Sequence, residues 1–247
     1  MRLKREYEVN PLLTQRRETG VNMEYEKLSS AKITIPLFII AFIIFSFMMS
    51  GVLTHNHFLK MIDMSSLEWF THYFGKPQRI YEDGLFNCYM TFCATIGDVG
   101  AMLKLTLILV VLLLIFKNKS QAVWVLLVMT TGTWINYLIK QTVGRQRPLS
   151  HLNIDSGLSF PSGHSNASTL FFIIIVIVVI PMLKGKIAQI LVATISTMLW
   201  ISILFCRMYF HAHYFSDVIG GVSLAVLWVL LFIMAYPLFT LWRNDKN

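Results

Sequence analysis

The chain has 247 residues, 55% of them hydrophobic and only 14% charged, with a formal net charge of +8. A water-soluble domain carries about a quarter charged residues, and apolar runs near 20 residues, long enough to cross a bilayer core of about 30 Å, recur along this chain. The composition excludes a soluble globular domain, points to an all-α, polytopic membrane helical bundle, and leaves the basic excess to be located before any nucleic-acid partner is inferred from it.

In chain order, residues 1–32 are polar and hold Arg2, Lys4, Arg5, Arg16, Arg17, Lys27 and Lys32, the pattern of a cytoplasmic N-terminal tail. The apolar run 33–53 is longer than a signal-peptide core and lacks a small-residue exit, which predicts an uncleaved first span. Next comes FLKMIDMSSLEWFTHYF (58–74), with apolar residues at three- and four-residue intervals. It predicts an amphipathic helix lying in the interface, with Trp69 and Tyr73 at headgroup level. A separate span over 85–96 is disfavoured by its shortness and by Gly97-Asp98. Further spans are predicted over 99–116, 121–139, 165–183, 187–205 and 218–241, so that residues 33–247 form one six-span domain. Cys88, Cys93 and Cys206 are odd in number and show neither a CxxC pair nor zinc-ligand spacing.

The short loops set the expected orientation. Lys117 and Lys119, Lys184 and Lys186, and Arg243 and Lys246 join the N-terminal cations on one side of six alternating spans, thirteen of the 21 Lys and Arg. The positive-inside rule makes that side, with both termini, cytoplasmic. The cations are therefore oriented by a bilayer, and no nucleic-acid partner is expected. Lys60, Lys76 and Arg79 belong to the long outer segment, and Lys104 snorkels from the second span. Lys140, Arg145, Arg147 and Arg207 break the charge bias by gathering at the opposite, extracytoplasmic level.

Ionisable residues at such depth are costly unless paired or functional. Against these four cations stand only Asp155 and Asp217 nearby, a balance that suits an anion. Lys140 and Arg147, two helical turns apart, share a face if their helix persists. Thr133 and Asn136 extend that stripe, as a supporting layer or as helix-packing hydrogen bonders. Arg145 points elsewhere, toward lipid phosphates. In FPSGHSNAST (160–169), Pro161 suits a first helical turn, and Ser162, Gly163 and His164 then offer free N–H groups and a titratable ring to a phosphate. The simpler alternative is a Ser-capped helix with a histidine among the headgroups. His213 and Asp217, four apart, place a carboxylate behind an imidazole, or merely tie a helix end, and Arg207 adds a bidentate phosphate ligand. His211 and His213 diverge by about 200° on a helix and do not form a metal pair.

K-x6-R-P at Lys140, Arg147 and Pro148, P-S-G-H at 161–164, and R-x5-H-x3-D at Arg207, His213 and Asp217 occur in that order. Together they resemble the three signature motifs of the type 2 phosphatidic acid phosphatase family, over roughly residues 85–235. That family includes membrane lipid phosphate phosphatases, glucose-6-phosphatase and the soluble vanadium haloperoxidases. Two departures are visible: Cys206 stands where the family usually has Ser, and His211 where it commonly has a small residue. The resemblance implies His213 as nucleophile, Asp217 as its orienting carboxylate and His164 as proton donor and base. It assigns phosphate binding to Lys140, Arg147, Arg207, Ser162 and Gly163, with no cofactor and no metal. The expected activity is hydrolysis of a lipid phosphate at the extracytoplasmic face through a phosphohistidine. Undecaprenyl diphosphate is the first substrate by orientation, with phosphatidylglycerol phosphate and phosphatidic acid as competitors. A transporter or lipid-binding protein that holds the phosphate uncleaved is the alternative of a different class, but it needs neither the His–Asp pair nor a second histidine. Nothing in the sequence bears on oligomeric state.

Overall fold

The computed structural model describes residues 31–244, and all regular structure among them is helical. The predicted cytoplasmic tail, 1–32, lies outside the described residues apart from its last two. Helix α1 (Ala31–Leu53) is predominantly apolar, and Ile39, Ile40, Phe42 and Ile43 each leave at least half their surface uncovered. That exposure is the surface of a helix bounded by hydrocarbon. Helix α2 (His57–Phe74) is the predicted amphipathic helix, capped by Asn56, whose Oδ1 accepts the Leu59 N–H at 3.2 Å. Leu59, Asp63, Leu67 and Phe70 form its buried face, while Met61, Met64, Trp69 and Tyr73 stay exposed. A carboxylate on that buried face was not anticipated.

Helices α3 (Gly84–Ile96) and α4 (Val99–Ile115) correct the reading of 85–98. The segment 85–96 is a helix, bent by 65° from α4, and Asp98 starts the second piece by accepting the Gly100 N–H at 2.8 Å. Alone, the 17 residues of α4 reach about 25 Å at 1.5 Å per residue, short of the hydrocarbon thickness. Five helices are long and apolar enough to cross a membrane by themselves, and the bent pair makes a sixth. These five are α1, α5 (Lys119–Val143), α6 (Gly163–Met182), α7 (Lys186–Tyr209) and α8 (Phe215–Asn244).

Helix α6 is the axis of the bundle, packed against α4, α5, α7 and α8, with α1 laid along α8 and α3 along α7. Its first turns are small and polar, and Ser165, Asn166, Ala167, Ser168 and Thr169 are all buried. Close approach of helices in a membrane depends on small residues and on hydrogen bonds between helices. Gly221 of α8 supplies the first: a Cβ there would lie 2.6 Å from the Ser162 carbonyl oxygen and 3.1 Å from Ser165 Cβ. Trp200 Nε1 donates to Thr169 Oγ1 at 2.9 Å and Trp228 Nε1 to Thr131 Oγ1 at 3.0 Å, tying α7 to α6 and α8 to α5. The start of α6 is thereby clamped at the level where α5 and α7 end and α8 begins.

Candidate active site

Helix α5 ends at Gly144, which adopts a left-handed φ of 66° and donates its N–H to the Lys140 carbonyl at 3.1 Å. Lys140 and Arg147 therefore do not share a helical face, as the seven-residue spacing predicted. Arg147 comes back to the site on the loop beyond Gly144, because glycine tolerates the turn that stops the helix. Lys140 Nζ donates to the carbonyls of Leu158 (2.9 Å) and Ser159 (3.1 Å). Arg147 donates to the carbonyls of Ser156 and Gly157 (both 3.1 Å) and, through Nη1, to Ala212 O at 2.6 Å and His213 Nε2 at 3.1 Å. Neither cation is ion-paired with a carboxylate among the described residues.

A guanidinium has no acceptor atom, so the contact with Arg147 fixes His213 Nε2 as the lone-pair nitrogen and Nδ1 as the N–H. Nδ1 faces Ser159 Oγ at 3.3 Å and Asp217 Oδ2 at 3.5 Å, and the Ser159 hydroxyl donates to the same Oδ2. Asp217 also accepts the Tyr214 N–H at 2.9 Å. His213 lies in the turn just before α8, and 1% of it is exposed. Burial, then the charges of Arg207, Lys140 and Arg147, hold its imidazole well below the ordinary value of 6.5, so it is neutral at physiological pH. Burial and Arg207 likewise push the Arg147 guanidinium down. Ser159 was not identified from the sequence, since 54 residues of chain separate it from His213.

Arg207, near the end of α7, is completely buried. Its Nη2 donates to Asp155 Oδ1 at 2.9 Å, while Nε and Nη1 have no hydrogen-bond partner among the described residues. Half of a buried guanidinium is thus paired and half is open, an arrangement that favours an oxyanion. Cys206, which stands where the family usually has Ser, turns its thiol onto its own helix and donates to Ile203 O at 3.1 Å.

Pro161 precedes the first turn of α6 and does not sit in it. Ser162 is the N-cap, fully buried, its Oγ accepting from Ser165 N at 3.3 Å and Ser165 Oγ at 2.9 Å. Both bonds use Oγ as acceptor and leave its own hydrogen uncommitted. Gly163 is the first helical residue, with room beside it limited by Val99 Cγ2, 3.2 Å from where a Cβ would stand. His164 Nε2 donates to the Ala94 carbonyl at 3.2 Å and lies 3.9 Å from Asp98 Oδ2, at the bend between α3 and α4. His211 turns to α2, with Nε2 3.5 Å from Thr71 Oγ1; burial, then Lys76, lower its pKa. Asn136 is buried beside Gly163, its Nδ2 without a partner among the described residues, and Thr133 bonds to its own helix at Met129 O.

Arg145 reverses the expectation that it reaches lipid phosphates. Its Nη1 donates to Asp217 Oδ1 and its Nη2 to Asp63 Oδ2, both at 2.6 Å, and its guanidinium lies 4.1 Å from the centre of the Tyr214 ring. Burial opposes this cation, but Asp217 and Asp63 outweigh it and raise its pKa. The site therefore holds four cations, of which two are paired, a neutral histidine backed by a carboxylate, a second histidine, and a helix N-terminus.

A model of the PAP2 superfamily matches residues 121–240, the stretch from early α5 to near the end of α8. Phosphatidylglycerophosphatase B of Bacillus subtilis (strain 168) is 31% identical over 147 residues, which cover 57% of this chain and 70% of that protein. The crystal structure of a transmembrane PAP2-type phosphatidylglycerolphosphate phosphatase from Bacillus subtilis superposes with a TM-score of 0.68 at 21% identity, covering 81% of this chain and 95% of that one. At that identity the likeness concerns the fold.

Proposed function

The chain belongs to the PAP2 superfamily and is a membrane lipid phosphatase, and on that premise we propose that it dephosphorylates phosphatidylglycerol phosphate through a phosphohistidine on His213. The observation that carries this reading is the pairing of two features in one buried cluster. One is the half-open guanidinium of Arg207, and the other is a neutral histidine whose Nε2 holds the lone pair.

A phosphate monoester entering the cluster draws Arg147 from Nε2 onto its own oxygens. His213 Nε2 attacks phosphorus, the bond from phosphorus to the headgroup oxygen breaks, and that oxygen takes a proton from His164. Water then attacks the phosphohistidine and gives a proton to His164. The phosphorus–nitrogen bond breaks, and inorganic phosphate leaves. Lys140, Arg147 and Arg207, with the Gly163 N–H and the Ser162 hydroxyl, neutralise charge on the three equatorial oxygens. The Ser159 hydroxyl, itself bonded to Asp217, faces the Nδ1–H, and the Asp217 carboxylate, 3.5 Å from Nδ1, stabilises the ring as it gains charge.

Similarity to phosphatidylglycerophosphatase B supports phosphatidylglycerol phosphate over undecaprenyl diphosphate. Undecaprenyl diphosphate is the second reading, favoured by the gathering of cations at the end opposite the site, which suits a diphosphate hydrolysed outside the cell. Family membership sets aside the non-catalytic binder. Detergent-purified protein is assayed for phosphate release in EDTA from phosphatidylglycerol phosphate, undecaprenyl diphosphate and phosphatidic acid, beside His213→Ala. Release is expected to survive EDTA, to disappear in the variant, and to show its highest kcat/KM on phosphatidylglycerol phosphate. A maximum on undecaprenyl diphosphate transfers the assignment to the second reading, and undiminished release by His213→Ala overturns the mechanism.

A further inference from the structure

Asp63 is the feature of this molecule that neither the motifs nor the proposed chemistry uses. It is 1% exposed, on an interfacial helix whose other buried residues are Leu59, Leu67 and Phe70. A carboxylate placed there is expensive unless both oxygens are hydrogen-bonded, and here the catalytic cluster supplies three donors. Oδ2 accepts from Arg145 Nη2 at 2.6 Å and from Ser216 Oγ at 2.7 Å, and Oδ1 accepts the Ser216 N–H at 2.9 Å. The Ser216 hydroxyl in turn accepts from Arg145 Nη1 at 2.7 Å, so Asp63, Arg145 and Ser216 close a three-membered ring of hydrogen bonds. The same Nη1 holds Asp217 Oδ1. One planar fork thus spans two buried carboxylates, one on α2 and one at the start of α8, with Tyr214 closing its face.

We infer that Asp63 is a positioning residue: through Arg145 and Ser216 it fixes the carboxylate of Asp217, and with it the ring of His213, so that α2 is a working part of the catalytic centre. The inference rests on the reading of His213 as nucleophile. Asp217 takes Arg145 on Oδ1 and the Ser159 hydroxyl and Tyr214 N–H on Oδ2, so its plane is set from both sides. Removing the Asp63 charge releases the Oδ1 side, while Lys140, Arg147 and Arg207, none of which touches Asp63, still hold the phosphate. An ion pair that only fastened α2 to the bundle would cost stability and leave the turnover of each folded molecule alone.

The test is a kinetic double-mutant cycle on the full-length protein, with Asp63→Asn, Arg145→Lys and both together, each normalised to folded sites by binding of inorganic phosphate. Lysine keeps the charge but lacks the planar fork whose two nitrogens reach Asp63 and Asp217 separately. In each single variant kcat is expected to fall about 10- to 100-fold, the cost of a small misplacement at a reacting centre, with KM and phosphate affinity changed less than about 2-fold. The double variant is expected to be no slower than the worse single one, and Asp63→Glu to recover part of the loss. Unchanged kcat in Asp63→Asn, losses that multiply in the double variant, or a loss that appears in KM alone would overturn the inference. Should one variant fail to fold, the other single variant still reads kcat against KM. Phosphate release by His213→Ala reports separately on the nucleophile: activity retained there brings down the underlying mechanism, whereas activity lost there with Asp63→Asn unaffected brings down only the role of Asp63.

Discussion

His213 works among more positive than negative neighbours. Arg147 contacts its Nε2, Ser159 and Asp217 face its Nδ1, and Arg207 and Lys140 act on it through space. Burial and these three cations depress its pKa, so protons do not compete for the lone pair until the pH falls below 6.5. Since kcat/KM reports the free enzyme, the acid limb of its pH profile is expected to have a midpoint below 6.5. Arg147→Gln removes one of the depressing charges, so the limb should move upward toward 6.5 while kcat/KM falls overall. An acid limb at or above 6.5 in the unaltered protein, or a downward shift in the variant, would refute this electrostatic account. At this scale the motifs exposed His213, Asp217 and Arg207, because i,i+4 spacing and charge are visible in one segment. Ser159 and Asp63 were not, because contacts closed across 54 and 153 residues leave no local periodicity to detect.

What holds those residues together is the meeting of two helix N-termini. Ser162 N donates to the Asp217 carbonyl at 3.0 Å, and Gly220 and Gly221 let α8 lie directly against the start of α6. The two glycines face different obstacles. A Cβ on Gly220 would meet the Phe160 ring at 2.5 Å, whereas one on Gly221 would meet the Ser162 backbone carbonyl at 2.6 Å. Side chains can turn aside; the backbone that carries Ser162 and Gly163 cannot move without widening the phosphate cradle. Gly221→Ala is therefore expected to cost about 1–3 kcal/mol in stability and to raise the Ki for inorganic phosphate several-fold. Gly220→Ala should lose stability with a smaller change in Ki. Thermal unfolding and product inhibition measured together decide it, and equal Ki values in the two variants would break the link between this packing and the site. The spans themselves were legible, since α1 and α5 through α8 are each long and predominantly apolar. Less so was the end of α5, where Gly144 turns the chain earlier than the Lys140–Arg147 spacing suggested. The helix over 84–96 was hidden because its bend at Gly97-Asp98 divides one crossing into two short pieces.

The molecule as a whole has two unlike ends. One gathers the end of α5, the starts of α6 and α8, the end of α7 and the buried face of α2 around Lys140, Arg145, Arg147 and Arg207. The other carries the turns from α4 to α5 and from α6 to α7, with Lys117, Lys119, Lys184 and Lys186. The four cations of the site are committed, to carboxylates or to an open anion cradle, and so contribute little free charge to orientation. Those at the second end are surface charges of short loops, the kind that the positive-inside rule counts. We therefore expect the site to face away from the cytoplasm. A reporter for the site end is Leu149, fully exposed in the loop after Pro148, and one for the other end is Lys184. With Cys88 replaced by Ser and the buried Cys93 and Cys206 retained, Leu149→Cys should react with a membrane-impermeant maleimide in intact cells. Lys184→Cys should react only after permeabilisation. The reverse pattern would place the site in the cytoplasm, where a diphosphate carrier released outside cannot be its substrate, and would leave phosphatidylglycerol phosphate as the lipid that both orientation and similarity favour.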